Sequence, residues 1–169
     1  TARLLSTVSE SVIESVTLNR EDPRISAIAD AVGPDVRVGY FGLAPELRQA
    51  FPSDDDFHGH AAQSASALPA EVELLSFDAA GATFRQGSRT DITTLQLSGA
   101  YNIFNAAAAM ACVRQVLGSR LDEDALISTV ATVTPAFGRG EKIMIGDRVI
   151  ELVLVKNPAG FRLALSSFP

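Results

Sequence analysis

Val16-Thr17-Leu18-Asn19-Arg20-Glu21-Asp22-Pro23 is the stretch on which the fold turns. Val16, Thr17 and Leu18 favour an extended strand, and the polar run from Asn19 to Asp22 ends it. Asp22 before Pro23 is a helix-start signal. The aspartate accepts from the first free amides, and proline at the first helical position lacks only an N–H that would have had no partner. Ile25, Ile28, Ala29 and Val32 then recur at helical spacing, so a helix is predicted to about position 32, where Gly33-Pro34 stops it. Positions 36–41 read as a second strand. Upstream, Leu4, Leu5, Val8, Val12 and Ile13 have the spacing of an amphipathic helix over 2–13. The first forty residues therefore read helix–strand–helix–strand, the alternation that builds a parallel sheet covered by helices.

Positions 52–68 break this pattern. They hold Asp54, Asp55, Asp56, His58 and His60 without a usable period and read as an exposed loop or insertion. A metal site at His58 and His60 is conceivable, but a mobile polar loop is the commoner meaning of such a run, and no metal is expected. Three β-type runs follow at 72–77, 82–85 and 92–97. Ala79-Ala80-Gly81 and Gly87-Ser88 separate them, as in antiparallel hairpins. A long helix is predicted over 100–117, closed by Gly118. A second starts near Asp122, whose acidic first turn (Asp122, Glu123, Asp124) suits the helix dipole, and Pro135 ends it. Strands at 142–145 and 149–155 flank the turn pair Gly146-Asp147. Asn157-Pro158 repeats the cap-plus-proline signal and opens a last helix to about 165.

Of the 169 residues 47% are apolar and 20% charged, with a formal net charge of −6. A sizeable core is possible, global disorder is excluded, and the absence of a basic stripe argues against nucleic acid as a partner. The single cysteine, Cys112, rules out a disulfide within the chain and sits in an apolar run, so it is expected to be a small buried side chain. No signal peptide is visible, and no apolar stretch approaches the roughly 20 residues that span a bilayer, so no transmembrane segment and a cytoplasmic location are expected. Thr1 in place of a start Met suggests residues upstream; processing or trimming explains it equally.

Four stretches resemble motifs of the Mur ligase family. Leu18-Asn19-Arg20-Glu21-Asp22-Pro23 is similar to the family's strand-end segment "N-A-D-D-P". Gly99-Ala100-Tyr101-Asn102-Ile103-Phe104-Asn105-Ala106-Ala107-Ala108-Ala109 resembles the "G-x-x-N-x-x-N-x-x-A-A" helix of its central ATPase domain. Gly138-Arg139-Gly140-Glu141 looks like the "G-R-x-E" turn near the end of that domain. Leu154-Val155-Lys156-Asn157-Pro158-Ala159-Gly160 occupies the place of "D-Y-A-H-N-P", in a version that points to the branch amidating lipid II. The motifs stand in the family's order and span most of the chain outside 52–68.

The resemblance implies an α/β fold: part of a Mur ligase central ATPase domain over 1–145, with a mainly parallel sheet, helices and added antiparallel strands, and the start of the C-terminal ligase domain over 146–169. It implies an ATP-dependent carbon–nitrogen ligase using Mg2+. The D-glutamate α-carboxyl of lipid II would be activated as an acyl phosphate and attacked by ammonia from a GatD-like glutaminase subunit. Electrostatic clamping of the transferred phosphoryl would carry much of the catalysis. The alternatives are an amino-acid-adding Mur ligase, a folylpolyglutamate synthase relative, or a non-catalytic scaffold that keeps the fold.

Asn102 and Asn105 are three apart and share a helix face, and a carboxamide offers both the donor and the acceptor that an adenine edge requires. The resemblance places both at the nucleotide. On the residues alone, Asn102 as a cap and Asn105 as partner to a nearby backbone group explain them as well. Arg139 between two glycines suits a guanidinium forking onto phosphate or stacking on a base, or a solvated loop arginine. Lys156 before the helix start at Asn157 suits an anion, or a hinge with a capping Asn. The resemblance assigns Arg139, Lys156 and Asn157 to nucleotide binding. It departs at Val153, where the family's acidic residue holds the ribose, so no ribose contact is carried over. It departs again in the loop, where this branch often inserts a four-cysteine zinc ribbon; there is no cysteine there and no zinc is expected. No P-loop of the type G-x-x-G-K-[ST] is present. In the family it precedes this region, and the catalytic acid follows in the C-terminal domain. No catalytic residue is therefore assigned, and this chain alone is expected to be inactive.

Overall fold

The computed structural model describes residues 14–51, 68–97, 99–135, 139–155, 160, 161 and 165; at positions 139–141 it describes the backbone alone. The helix expected over 2–13 lies outside the described residues, as does the loop at 52–67.

Seven strands are described. β1 (Ser15–Asn19), β2 (Arg37–Leu43), β3 (Val72–Phe77), β4 (Gly81–Gln86) and β5 (Arg89–Thr94) form one sheet in that order. β1–β2 and β2–β3 are parallel, and β3–β4 and β4–β5 antiparallel. This is the mixed α/β sheet expected. β6 (Arg139–Ile145) and β7 (Arg148–Val153) form a separate antiparallel hairpin turning at Gly146, whose φ of 65° suits glycine. The hairpin straddles positions 145 and 146, where the sequence suggests a domain division. Gly160, Phe161 and Leu165 are helical; the opening of that helix, with Asn157 and Pro158, lies outside the described residues.

Asp22 caps α1 (Pro23–Ser26) as its sequence predicts, accepting from the amides of Arg24 at 2.8 Å and Ile25 at 3.4 Å. The regular helix is shorter than its periodicity suggests. It tightens into a 3-10 helix at Ala27–Ala31, where Ile28 is the buried residue, and a second 3-10 helix, Pro45–Ala50, follows β2 unforeseen.

α2 (Ala100–Leu117) covers one face of the sheet. Its Ala106, Ala107 and Ala111 are small enough to bring the helix close, and Ile103, Phe104 and Met110 fill the space against Leu43, Val72, Leu74 and Phe84. Burying each such large side chain stabilises by about 1.5–3 kcal/mol. Alternation along β2 sends Tyr40 to the opposite face, with its register partner Leu18, where α1 packs on β1. α3 (Glu123–Thr132), capped by Asp122, packs against β5 and α2 through Leu126 and Val130.

Two expectations are corrected. Cys112 is exposed, not buried. In an alanine-rich helix an apolar run does not mark the inward face, and the side that meets the sheet is set by Ala107, Met110 and Ala111. The fifth strand begins at Arg89 rather than at position 92, and its alternation is the reverse of its hydrophobicity. Asp91 and Thr93 are buried while Ile92 is 84% exposed.

The carboxyl ends of β1 and β2 are tied to the start of β3 by Arg20. Its guanidinium is 9% exposed and donates to Glu73 Oε1 at 2.8 Å, to the Leu43 carbonyl at 2.7 Å, to the Leu68 carbonyl at 3.2 Å and to Glu21 Oε1 at 3.0 Å. Glu21 in turn accepts from the Leu43 amide at 2.9 Å and from Arg48 at 2.6 Å, and Arg85 donates to Glu73. Gly42 makes room: a Cβ there would lie 2.6 Å from both Arg20 Nε and Glu21 Oε1.

Arg20→Met is predicted to destabilise by about 3–5 kcal/mol, because it takes the buried guanidinium from Glu73 and leaves that carboxylate to the half-exposed Arg85. Arg24→Ala, at an exposed pair, is predicted to cost under about 1 kcal/mol. Urea denaturation of both variants checks the contrast, and equal midpoints would contradict it. Gly81→Ala is predicted to cost about 1–3 kcal/mol. Its Cβ would meet the Thr93 carbonyl oxygen at 2.1 Å, and that backbone belongs to the β4–β5 ladder. At Gly33 a Cβ meets nothing within 4 Å, so Gly33→Ala is the matching control, expected to leave the midpoint unmoved.

Candidate functional site

β5 is antiparallel to β4, which is antiparallel to β3, so β5 runs in the direction of β1, β2 and β3. All four end at one edge of the sheet, and α2 starts there and runs back. Phe104, in its second turn, sits 5.1 Å from the ring of Phe41 and 5.3 Å from that of Phe51, which meets Phe77 at 5.7 Å. At the other end of α2, Gln115 lies over Gly39 near the start of β2. In open α/β sheets ligands collect beyond the carboxyl ends of the strands, which here is the edge of Phe41, Leu43 and the first turns of α2.

Gly99 begins α2 with φ of 84° and gives it no side-chain cap. Asn102 is the third helical residue and is half-buried; Asn105, one turn on, is exposed. Ile103, Phe104, Ala106 and Ala107 face the sheet, so the two carboxamides share the outward side of the helix. Arg139 opens β6 in register with Val153, its side chain outside the described residues. Lys156 and Asn157 lie outside them altogether. The structure therefore brings together two of the five expected nucleotide-contacting residues.

Two carboxamides on one helix offer hydrogen-bond donors and acceptors in pairs. A nucleotide's phosphates find no matching donors among the described residues around Asn102 and Asn105. Among the described residues no three His, Cys, Asp or Glu side chains gather as a metal site, and no helix is long and apolar enough to cross a membrane.

Two further polar features escaped the sequence. Gln86, 1% exposed, donates to Asp91 Oδ2 at 2.9 Å. Arg89 donates to Asp91 Oδ1 and to Asp124 Oδ1, each at 2.6 Å, and the hydrogen bonds to Asp124 and then Asp91 raise its pKa. This chain of contacts ties β4, β5 and α3 together. The second feature is a cleft of about 680 Å³ at the amino edge of the sheet, lined among others by Arg37, Glu71, Arg114, Gln115 and Glu123. It lies at the opposite end of α2 from Asn102. One signal for it was legible: Gln115 is a polar residue four positions after Ala111, at core spacing. On the other face, burial and then the Asp30 carboxylate push the Tyr40 phenol up.

No family model matches the chain. Over 71 residues it is 41% identical to the lipid II isoglutaminyl synthase (glutamine-hydrolyzing) subunit MurT of Streptococcus pneumoniae; the match covers 42% of this chain and 15% of that protein. Among solved structures it resembles a pseudomurein peptide ligase type C from Methanothermus fervidus, with a TM-score of 0.71 and 20% identity over 99% of this chain and 37% of that one. MurF from Acinetobacter baumannii superposes with a TM-score of 0.63 and 16% identity, over 90% of this chain and 28% of that one. A Mycobacterium tuberculosis folylpolyglutamate synthase, solved with ADP and AMPPCP, gives 0.57 and 21% over 90% and 30%. The chain thus spans little more than a third of the length of these relatives at most. The chain has the fold of those ligases and shares with MurT a stretch of 71 residues at 41% identity.

Proposed function

We propose that this chain is part of an ATP-dependent amide ligase that converts the D-glutamate α-carboxyl of lipid II to a carboxamide, with α2 turned toward the adenine. The 41% identity to MurT carries this reading. The exposed position of Asn105, one turn on from Asn102 in α2, is consistent with it. Arg139, Lys156 and Asn157 are assigned to the phosphate side of the nucleotide, next to the β6–β7 hairpin that we place at the junction of the central and C-terminal domains. ATP with Mg2+ supplies the phosphoryl group that activates the carboxyl, and a GatD-like glutaminase supplies ammonia. The reaction is placed in the cytoplasm.

The whole protein carrying this chain, mixed with lipid II, Mg·ATP, glutamine and a GatD-like glutaminase, is expected to yield amidated lipid II by mass spectrometry. Addition of an amino acid instead, without need of glutaminase, would favour an amino-acid-adding ligase. Asn105→Ala is expected to weaken ATP binding roughly 3- to 10-fold, and Arg139→Ala roughly 10- to 100-fold, as befits a neutral and a charged hydrogen bond. Calorimetric titration of the two variants measures this, and unchanged affinity in both removes the site assignment.

A further inference from the structure

The cleft at the amino edge of the sheet plays no part in the ligase reading. One deeply set polar atom at its wall lacks a hydrogen bond, and a carboxamide beside it opens onto the cleft. Gln115 is 8% exposed, and its carboxamide makes no hydrogen bond to any described residue. It fits only because residue 39 is glycine, where a Cβ would lie 1.7 Å from Gln115 Nε2. Arg114 Nε is buried and unbonded; Glu71 Oε2, at 4.0 Å, is beyond hydrogen-bonding distance. A buried polar group left unsatisfied costs about 1–3 kcal/mol, so the wall carries that cost at Arg114 Nε while it presents the Gln115 carboxamide to whatever fills the cleft.

Charge narrows what that is. Arg37 is exposed at the rim with no ion pair from the described residues, and with Arg114 it contributes two positive charges. Glu71 and Glu123 contribute two negative ones. Glu123 already accepts from Arg114 Nη1 at 2.7 Å, which leaves Glu71, 45% exposed, as the available acceptor. The lining is neutral in sum but divided in sign. The last turn of α2 adds the negative end of the helix dipole, which favours a cationic group.

We propose that this cleft binds a small zwitterion bearing one carboxylate and one ammonium group. The carboxylate sits against Arg37 and the Gln115 amide, with the Arg114 charge behind them, and the ammonium against Glu71 and the carboxyl end of α2. A free α-amino acid and a short peptide both carry this pair of charges, at different separations.

Titration calorimetry on the whole protein carrying this chain decides it, with glycine, L-alanine, L-alanyl-L-alanine, acetate and methylammonium as probes. Glycine or alanine is expected to bind if the source is a free amino acid, and the dipeptide alone if it is a peptide. Acetate and methylammonium are expected to bind at least about tenfold more weakly, each having lost one half of the recognition. Arg37→Ala and Glu71→Gln, both at the exposed rim, are expected to weaken the zwitterion about tenfold or more with the thermal midpoint and ATP affinity unchanged. Absence of binding by every zwitterion, equal binding of acetate or methylammonium, or undiminished binding in both variants would overturn the proposal. None of these results touches the ligase reading, which ATP binding tests separately.

Discussion

One guanidinium ties the carboxyl ends of two parallel strands to the start of a third. Arg20 reaches across from the end of β1 to the Leu43 carbonyl at the end of β2 and the Glu73 carboxylate on β3, so three parallel strands share a single donor. Parallel strands have no hairpin to set their relative ends, and a planar fork with several fixed donors does this where a lysine's single charge would not. The arrangement requires Glu73 behind the sheet, Gly42 to leave space, and Glu21 to hold both the arginine and the Leu43 amide. The first turns of α2 then take their place over strand ends that are already fixed.

Much of this was legible in the order of residues. Asp22-Pro23 caps a helix, Gly118 closes α2 with φ of 52°, and Gly146 turns a hairpin, each a local signal with a local cause. Local signals failed where burial is decided by distant partners. Arg20 and Glu21 read as a polar loop because Leu43, Arg48 and Glu73 lie 22 or more positions away. Cys112 read as core because α2 is apolar nearly all round, and only the sheet determines which side it meets. Ile92 and Asp91 exchanged their expected roles because Gln86 and Arg89 are there to satisfy the carboxylate.

The candidate site was half legible. Spacing alone places Asn102 and Asn105 on one side of a helix, and the structure turns that side outward. Whether Arg139 and Lys156 join them depends on side chains outside the described residues. The cleft at the other end of α2 left only Gln115, a polar residue at core spacing, as a sign in the sequence, since Arg37, Glu71 and Gln115 come from three separate segments that only the parallel register gathers. α2 thus joins two chemically different ends of one sheet, carboxamides at its start and a charge-divided hollow at its finish.

The β6–β7 ribbon stands apart from this economy. Ile143, Ile145, Ile150, Leu152 and Val153 are between 38% and 60% exposed, on both sides of two strands that are each an edge. A lone ribbon of this kind is marginal in water, because it orders two strands without a buried face to compensate. Its order is therefore conditional. Whatever backbone lies down beside it or over it, its amides should exchange with solvent on a different clock from those of the five-stranded sheet, making this stretch a separately melting unit.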